Sequence, residues 1–233
     1  MNSIVDNEQW LAARRELLAE EKALQKARDE LARKRREMPW RKIEKNYVFA
    51  GENGNASLAG LFGDNSQLLL YHFMYHPDWD EGCKSCSFWA DQYDAAIPHL
   101  KARDVALVCV SRGPLDKLLA YRKRMGWSFP WYSSASNSFN YDFNVSFTPE
   151  QVAAKDGVYN YRKAQWLAEE LPGLSTFIKD DDGSVFHTYS TFSRGLDPLN
   201  ATYQMLDLVA KGRDEDGLEF SMNWLRRHDE YQK

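Results

Sequence analysis

Two cysteines in the segment Cys83-Lys84-Ser85-Cys86 constrain this chain more than any other feature. An apolar run of strand type, residues 67–74, leads into a polar turn, and the cysteines then open a predicted helix that runs to about residue 102. A C-x-x-C at the start of a helix that follows a buried strand is typical of dithiol–disulfide chemistry. The spacing places both sulfurs on one helix face, close enough to bridge. Since a helix N-terminus stabilises a thiolate, Cys83 is the predicted nucleophile and Cys86 the predicted resolving thiol.

The composition fits a soluble globular enzyme. Hydrophobic residues make up 43% of the 233-residue chain and charged residues 27%, so it is long and apolar enough to bury a full core. The net charge of −4 argues against nucleic-acid binding. No apolar stretch approaches the roughly 18 residues that a membrane helix needs, and residues 1–7 lack a signal-peptide pattern. Because three cysteines are too few for a secreted disulfide scaffold, a cytoplasmic location is expected.

We divide the chain into three predicted regions: a helix over residues 1–37, a central α/β domain over 38–195, and a helical extension over 196–233 packed on that domain. The predicted elements of the last two regions are a hairpin at 47–58, a β-α-β unit from 67 to 110, a helix at 115–125, a hairpin at 175–189 around the turn Asp180–Gly183, and a helix from Pro198 to about Leu208. In the β-α-β unit, Cys109 lies in an apolar strand and is predicted to be a core residue.

The first region is predicted to be one amphipathic helix of roughly 30 residues. Trp10, Leu17, Leu24 and Leu31 recur every seven residues. Half of the expected coiled-coil seam is charged, so we predict a helix laid across its own domain or across a second copy of the chain, which would form a homodimer. We interpret the basic cluster 33–36 as cations that complement the dipole at the helix C-terminus.

Eight short motifs lie along residues 38–231: Met38-Pro39-Trp40, Tyr71-His72-Phe73-Met74, Gly82-Cys83-x-x-Cys86-Ser87-Phe88-Trp89, Arg124-Met125-Gly126-Trp127, Phe129-Pro130-Trp131, Asn140-Tyr141-Asp142-Phe143, His187-Thr188-Tyr189-Ser190-Thr191 and Gly212-Arg213-Asp214-Glu215-Asp216-Gly217. Together they resemble the motifs of a widespread thioredoxin-like family of unknown function, the domain of unknown function 899. The resemblance implies a thioredoxin-like fold with a mixed central sheet. It also implies a dithiol–disulfide oxidoreductase that uses Cys83 and Cys86 without an organic cofactor.

The chain departs from standard thioredoxin and peroxiredoxin patterns. The tryptophan that usually precedes the first cysteine is displaced to Trp79, and Gly82 stands in its place. The proline that usually opens the strand facing the disulfide is replaced by Leu174. The peroxiredoxin pattern P-x-x-x-T-x-x-C is unmet, since Asp80 stands where threonine belongs. A link to peroxide reduction is therefore left open, and the substrate and the reductant are an unidentified thiol or disulfide.

Charged residues near the cysteines give opposing expectations. Lys84 and the helix terminus would lower the pKa of the Cys83 thiol, whereas three carboxylates would raise it. Those three are Asp78, Asp80 and Glu81. Arg112 and Arg194 are candidates for a cation that stabilises the thiolate, with a structural ion pair as the alternative for each. His187, on the last strand, is a candidate proton carrier, with a hydrogen-bonded core residue as its alternative.

Two other hypotheses compete with the redox enzyme: a zinc site and a non-catalytic interaction module. His72 and His76 precede Cys83 and Cys86, and two histidines with two cysteines form a legitimate zinc set. The spacing H-x3-H followed by C-x2-C matches no standard zinc finger, so zinc is the minor alternative. The remaining hypothesis is a non-catalytic interaction module, in which the N-terminal helix docks a partner or a second subunit.

Overall fold

The computed structural model describes residues 3–231 and divides into two compact units, one ending at Pro39 and the other beginning at Trp40. The first unit is helix α1, Asn7–Arg36, which confirms the predicted long helix. Asp6 caps it by accepting a hydrogen bond from the Gln9 N–H at 2.9 Å, and basic side chains fill its last turn. No residue of α1 is buried, and its heptad residues, from Trp10 to Leu31, remain about half exposed.

The predicted homodimer through α1 has a direct test. We expect the full chain to sediment as a dimer and a chain that begins at residue 38 to sediment as a monomer, because deletion removes the apolar stripe. Sedimentation velocity at several concentrations measures this. A matched variant that keeps the helix but carries Leu17→Gln and Leu24→Gln should also be monomeric. Equal masses for the full and shortened chains would rule out α1 as the dimer interface.

The second unit is built on an eight-stranded mixed sheet, in the order β1-β10-β9-β4-β5-β6-β2-β3. Its strands are β1 (Arg41–Lys42), β2 (Val48–Gly51), β3 (Gly54–Ser57), β4 (Gln67–His72), β5 (Val105–Ser111), β6 (Trp131–Ser133), β9 (Gly173–Lys179) and β10 (Val185–Phe192). A separate two-stranded hairpin consists of β7 (Val158–Tyr159) and β8 (Arg162–Lys163). Strands β4, β5 and β6 are parallel, whereas β9 is antiparallel to both β4 and β10.

The helices of this unit are α2 (Lys84–Ala90), α3 (Tyr93–Lys101), α4 (Leu115–Arg124), α5 (Phe139–Asp142), α6 (Pro149–Ala154) and α7 (Ala201–Leu206). Short 3-10 segments span Ala59–Phe62, Ser193–Leu199 and His228–Glu230. The unit β4-α2-α3-β5 is followed later in the chain by β9-β10-α7, and the strands lie in the order β10-β9-β4-β5. This is the thioredoxin-like arrangement, so the predicted fold class is confirmed.

Several predicted boundaries were wrong. The helix expected to run from the cysteines to residue 102 is two helices, α2 and α3. At the break, Asp91 accepts a hydrogen bond from the Trp127 indole at 2.9 Å and Gln92 accepts one from the Ala201 N–H at 2.5 Å. The helix expected from Pro198 to Leu208 is the shorter α7, which begins after Asn200 because the Asn200 side chain caps it. Strands β1 and β6 were missed because each is at most three residues long.

Strand β4 ends at His72 and not at Met74, as the sequence predicted. The Met74 N–H donates to the Cys86 sulfur at 3.4 Å, and the Met74 carbonyl accepts from the Cys83 N–H at 3.1 Å. The chain therefore leaves the sheet two residues early, and the backbone groups freed there bind the two cysteines.

The sheet has a hydrophobic cluster on each face, as alternation along the strands requires. Tyr71 and Cys109 belong to the cluster beneath α2 and α4, whereas Leu70 and Phe177 belong to the cluster on the opposite face. Cys109 is fully buried, which confirms its prediction as a core residue. Within the described residues, no helix is both long enough and apolar enough to cross a membrane.

Candidate active site

Cys83 and Cys86 lie at the first turn of α2, and the two positions differ in exposure. Cys83 is the residue before the helix and is half-buried, whereas Cys86 is 1% exposed. The Cys83 carbonyl accepts hydrogen bonds from the Ser87 N–H at 3.0 Å and from the Ser87 hydroxyl at 2.9 Å. Both cysteines are free thiols in this structure. The sequence prediction that the pair opens a helix is thus confirmed.

The surroundings of the two thiols drive their pKa values apart. The Cys86 thiol, together with the backbone N–H groups of Cys86 and Ser85, donates to the Cys83 sulfur and lowers the pKa of Cys83 to about 6, although burial opposes the shift. Burial raises the pKa of Cys86 well above its ordinary value, and the Cys83 sulfur raises it further. At neutral pH the outer cysteine is therefore a thiolate and the inner one a neutral thiol.

The neighbouring charges are not arranged as the sequence suggested. The Lys84 ammonium donates to the Leu225 carbonyl at 3.0 Å instead of facing Cys83. The side chains of Asp78 and Asp80 are at least 90% exposed to solvent. Glu81 forms ion pairs with two arginines from other elements, Arg124 and Arg227. The low pKa of Cys83 thus comes from hydrogen bonds at the helix terminus, whereas Lys84 ties α2 to the backbone at Leu225.

Gly82 stands where thioredoxins carry a tryptophan, and the structure shows why. A Cβ at this position would lie 2.7 Å from the Tyr121 ring and 2.8 Å from the Phe73 ring, closer than carbon atoms approach in proteins. The displaced Trp79 lies in the preceding turn, about one-third exposed, with its ring centroid 6.1 Å from that of His76. Trp79 is therefore at the rim of the site, and the backbone before Cys83 packs directly on aromatic rings.

The four residues of the zinc hypothesis do not come together. His72 lies on the sheet face opposite the cysteines, where its ring stacks near Phe139 and its Nε2 contacts the Ser175 hydroxyl at 2.8 Å. His76 lies in the turn after β4 and contacts Glu169 at 3.2 Å. Across residues 3–231, no group of three or more His, Cys, Asp or Glu side chains is placed to hold a metal ion.

His187 is also on the far face and does not meet the cysteines. A hydrogen-bonded chain runs from His72 through the hydroxyls of Ser175 and Ser190 to Nε2 of His187, with links of 2.7–2.8 Å. Burial lowers the pKa of His72 to about 3 and that of His187 to about 4, so both rings are neutral. Of the two interpretations of His187, the structure shows the hydrogen-bonded core residue.

The two candidate cations form ion pairs elsewhere. Arg112, just after β5, is mostly buried and binds Glu170 at 2.5 Å and the Tyr141 hydroxyl. Burial raises the pKa of the Glu170 carboxyl to about 7, although Arg112 opposes the shift. Arg194 is largely exposed and pairs with Asp197 at 2.9 Å. Each arginine thus matches the structural alternative.

The structure brings to the site several residues that the sequence analysis did not identify. Tyr71, on β4, hydrogen-bonds the Cys86 thiol with its phenol. Tyr121, on α4, shares a 2.9 Å hydrogen bond with the Ser87 hydroxyl and accepts one from Arg227 at 2.8 Å. Tyr71 could have been found, since it lies in a quoted motif and on the strand before the cysteines. No local pattern signals Arg227, which is 145 residues from the Gly82 carbonyl that it binds.

Comparison of the sequence with known protein families finds one match, to a family whose activity is unknown. Residues 1–231 match the model of a family described as "Bacterial protein of unknown function (DUF899)", as the motifs led us to expect. No curated protein matches the sequence. Solved structures with partial similarity include Peroxidoxin BcpB from Mycobacterium tuberculosis (TM-score 0.46, 15% identity, 72% of this chain and 97% of that one). Another is a mutant of Peroxiredoxin Q from Xanthomonas campestris (TM-score 0.45, 14% identity, 69% of this chain and 89% of that one). Likeness at this level says nothing about chemistry, and the fold rests on the strand order above.

Proposed function

The chain belongs to the DUF899 family of bacterial proteins of unknown function, and we propose that it is a dithiol–disulfide oxidoreductase in which Cys83 attacks and Cys86 resolves. One observation carries this proposal: the half-buried Cys83 stands at the N-terminus of α2, and Cys86 is buried one turn further in. Hydrogen bonds from the Cys86 thiol and the first-turn N–H groups lower the pKa of Cys83 to about 6, whereas burial raises that of Cys86. Dithiol exchange requires one thiol that is ionised at neutral pH and attacks first, and a second, neutral thiol that attacks only after the mixed disulfide has formed.

The reaction proceeds by two thiol–disulfide exchanges. The Cys83 thiolate attacks one sulfur of a substrate disulfide, forms a mixed disulfide with it and expels the other sulfur as a thiolate. Cys86 then loses its proton to the departing thiolate or to water and attacks the Cys83 sulfur. The Cys83–Cys86 disulfide forms, and the second substrate sulfur leaves. The protein dithiol has lost two electrons and the substrate disulfide has gained two, and an external dithiol restores the protein by the reverse sequence.

Formation of the mixed disulfide at Cys83 lowers the pKa of Cys86, which is the change that the second exchange needs. Once Cys83 is in a mixed disulfide, its sulfur no longer carries a negative charge, and the charge that helped to raise the pKa of Cys86 is gone. The Met74 N–H and the Tyr71 phenol remain in place to stabilise a Cys86 thiolate. Cys86 therefore becomes easier to ionise at the step at which it has to attack.

The first test is the reduction potential of the Cys83–Cys86 pair. We expect a reversible two-electron couple within or near the span of roughly −120 to −270 mV known for thiol oxidoreductases. Equilibration in graded glutathione or dithiothreitol buffers, followed by alkylation and intact mass measurement, gives the potential. Zinc is assayed on the same sample. Cysteines that never oxidise would contradict the proposed function. One equivalent of bound zinc in the same sample would support the zinc hypothesis in its place.

A further inference from the structure

The C-terminal segment, defined here as residues 222–231, packs against the dithiol. Leu225 is fully buried, and Met222 and Trp224 pack on the hydrophobic cluster that contains Cys86. The Trp224 and Phe88 rings meet edge to face with their centroids 5.9 Å apart. The Leu225 carbonyl accepts the hydrogen bond from Lys84, the residue after Cys83. The segment thus contacts the active-site helix through the Phe88 ring and through the side chain of Lys84, which lies between the two cysteines.

Arg227 closes a ring of hydrogen bonds through the main chain of Cys83. In one direction its guanidinium donates to the Gly82 carbonyl at 2.9 Å. In the other it donates to the Tyr121 hydroxyl at 2.8 Å, and that hydroxyl is 2.9 Å from the Ser87 hydroxyl. The Ser87 hydroxyl in turn donates to the Cys83 carbonyl at 2.9 Å. The ring therefore fixes the peptide group before Cys83 and the peptide group after it.

Those two peptide groups decide where the Cys83 sulfur points. Cys83 has an extended ψ of 128° while the next residue is helical, the conformation in which a side chain at this position can face the free N–H groups of the first turn. The donors that stabilise the thiolate are the Cys86 thiol, the N–H groups of Cys86 and Ser85, and the Ser85 hydroxyl. Rotation of either peptide group would carry the sulfur away from them.

Arg227 is itself held in place by carboxylates. It pairs with Glu81 and with Glu230, each at 2.9 Å. The titratable and charged groups on the elements packed around Cys83 include Tyr71 on β4, the exposed Asp78 and Asp80 and the paired Glu81 in the turn, Lys84 and Cys86 on α2, Tyr121 and Arg124 on α4, and Arg227, His228, Asp229 and Glu230 in the C-terminal segment. Since Arg227 is itself paired with Glu81 and Glu230, it acts on Cys83 through geometry and not as an unpaired cation.

We propose that Arg227 is a positioning residue for Cys83: by binding the Gly82 carbonyl and the Tyr121 hydroxyl, it holds the two peptide groups that direct the Cys83 sulfur at its hydrogen-bond donors. This inference rests on the proposed function and names a residue that keeps its nucleophile in place. Displacement of the segment would break the ring, release the peptide groups around Cys83 and leave an ordinary, slower thiol in place of an activated one.

The test is the pH profile of Cys83 alkylation by iodoacetamide, followed by mass spectrometry of the Cys83 peptide. In the parent protein we expect the rate to rise with a half-point near pH 6. In Arg227→Gln we expect the half-point to move up by about one unit, which makes alkylation about fivefold slower at pH 6. Arg226→Gln is the matched control, since Arg226 is adjacent and exposed, and it should keep the parent profile.

Two more variants separate geometry from charge. Arg227→Lys keeps the cation but cannot bridge the Gly82 carbonyl and the Tyr121 hydroxyl, so its half-point should move up as in the glutamine variant. Tyr121→Phe keeps the aromatic packing and opens the ring at its middle link, so it should shift the profile in the same direction and serves if the Arg227 variants fail to fold.

Each contrary result points to a different failure. An unchanged half-point in Arg227→Gln, or full recovery of the parent profile in Arg227→Lys, would overturn the positioning role and leave the proposed function standing. If the Arg227 variants fail to fold, an unchanged profile in Tyr121→Phe overturns it in their place. A parent half-point near about 8.5, the ordinary value for a thiol, would overturn the proposed function and this inference together.

Discussion

The Cys83→Ser variant is expected to lose thiol–disulfide exchange by at least about three orders of magnitude, because a serine hydroxyl does not ionise near neutral pH and cannot replace the attacking thiolate. The assay is reduction of a small disulfide such as glutathione disulfide, with dithiothreitol as the terminal reductant. Full activity in this variant would show that Cys83 is not the nucleophile.

The Cys86→Ser variant should stop at the intermediate. Cys83 still attacks, but no second thiol is placed to resolve the mixed disulfide, so intact mass spectrometry should show one stable glutathionyl adduct on Cys83. Cys109→Ala is the matched control: Cys109 is fully buried and burial raises the pKa of its thiol, so this variant should behave as the parent. An adduct on Cys109, or none in the Cys86 variant, would contradict the assigned roles.

The second large effect is expected on stability, from Arg112→Ala. Glu170 is 1% exposed, and removing its cation leaves a buried carboxylate with the Ser146 hydroxyl as its remaining partner. Breaking a buried ion pair from one side costs about 3–5 kcal/mol when the remaining group stays charged. Chemical denaturation at pH 8, where Glu170 is ionised in the parent, should therefore show a loss of up to this size in the free energy of unfolding, since uptake of a proton by Glu170 in the variant relieves part of the cost.

The pH dependence of that loss follows from Glu170. Its pKa is about 7 in the folded protein and lies near 4.5 when the chain is unfolded, so the folded state holds the proton more tightly. The resulting stabilisation is complete below the unfolded value and is lost as pH rises through the folded value. Without Arg112 the folded pKa rises further, so the difference between variant and parent should grow between pH 5 and pH 8.

Lys163→Ala provides the surface control for this experiment. Lys163 pairs with Asp156 at 3.3 Å, and both side chains are more than 70% exposed. Loss of such a pair costs less than about 1 kcal/mol at either pH. If Arg112→Ala were no more destabilising than this control, the Arg112–Glu170 pair would not contribute to the fold.

The fold and the position of the two cysteines could be predicted because their signals are local. The β-α-β unit follows from apolar runs, and the place of Cys83 and Cys86 at a helix N-terminus follows from the strand and turn that precede them. The roles of nucleophile and resolving thiol stay a prediction. The separation of His72 from the cysteines, which counts against the zinc hypothesis, has a reason already present in the sequence. Alternation along β4 placed His72 on the face of Leu70, and in the structure that face is turned away from Cys86.

The role of Arg227 and the orientation of Lys84 could not be predicted, because both depend on contacts between residues that are distant in the sequence. Arg227 reaches Gly82 from the far end of the chain, and Lys84 is turned towards Leu225 by the same packing. The predicted effect of Lys84 on the thiol assumed that its charge faced the nearest ionisable group. A flexible side chain instead went to a backbone acceptor that the sequence could not locate.

The two edges of the large sheet bear on how this protein behaves at high concentration. One edge is β1, two residues long and formed by the exposed cations Arg41 and Lys42, which covers part of β10. The other is β3, four residues long, with the sequence Gly-Asn-Ala-Ser. Short, charged or polar edge strands offer few unpaired backbone groups to a neighbouring chain. Addition of a strand from a second molecule to β1 or to β3 is therefore disfavoured, which favours a protein that stays dispersed at the concentrations that redox titration requires.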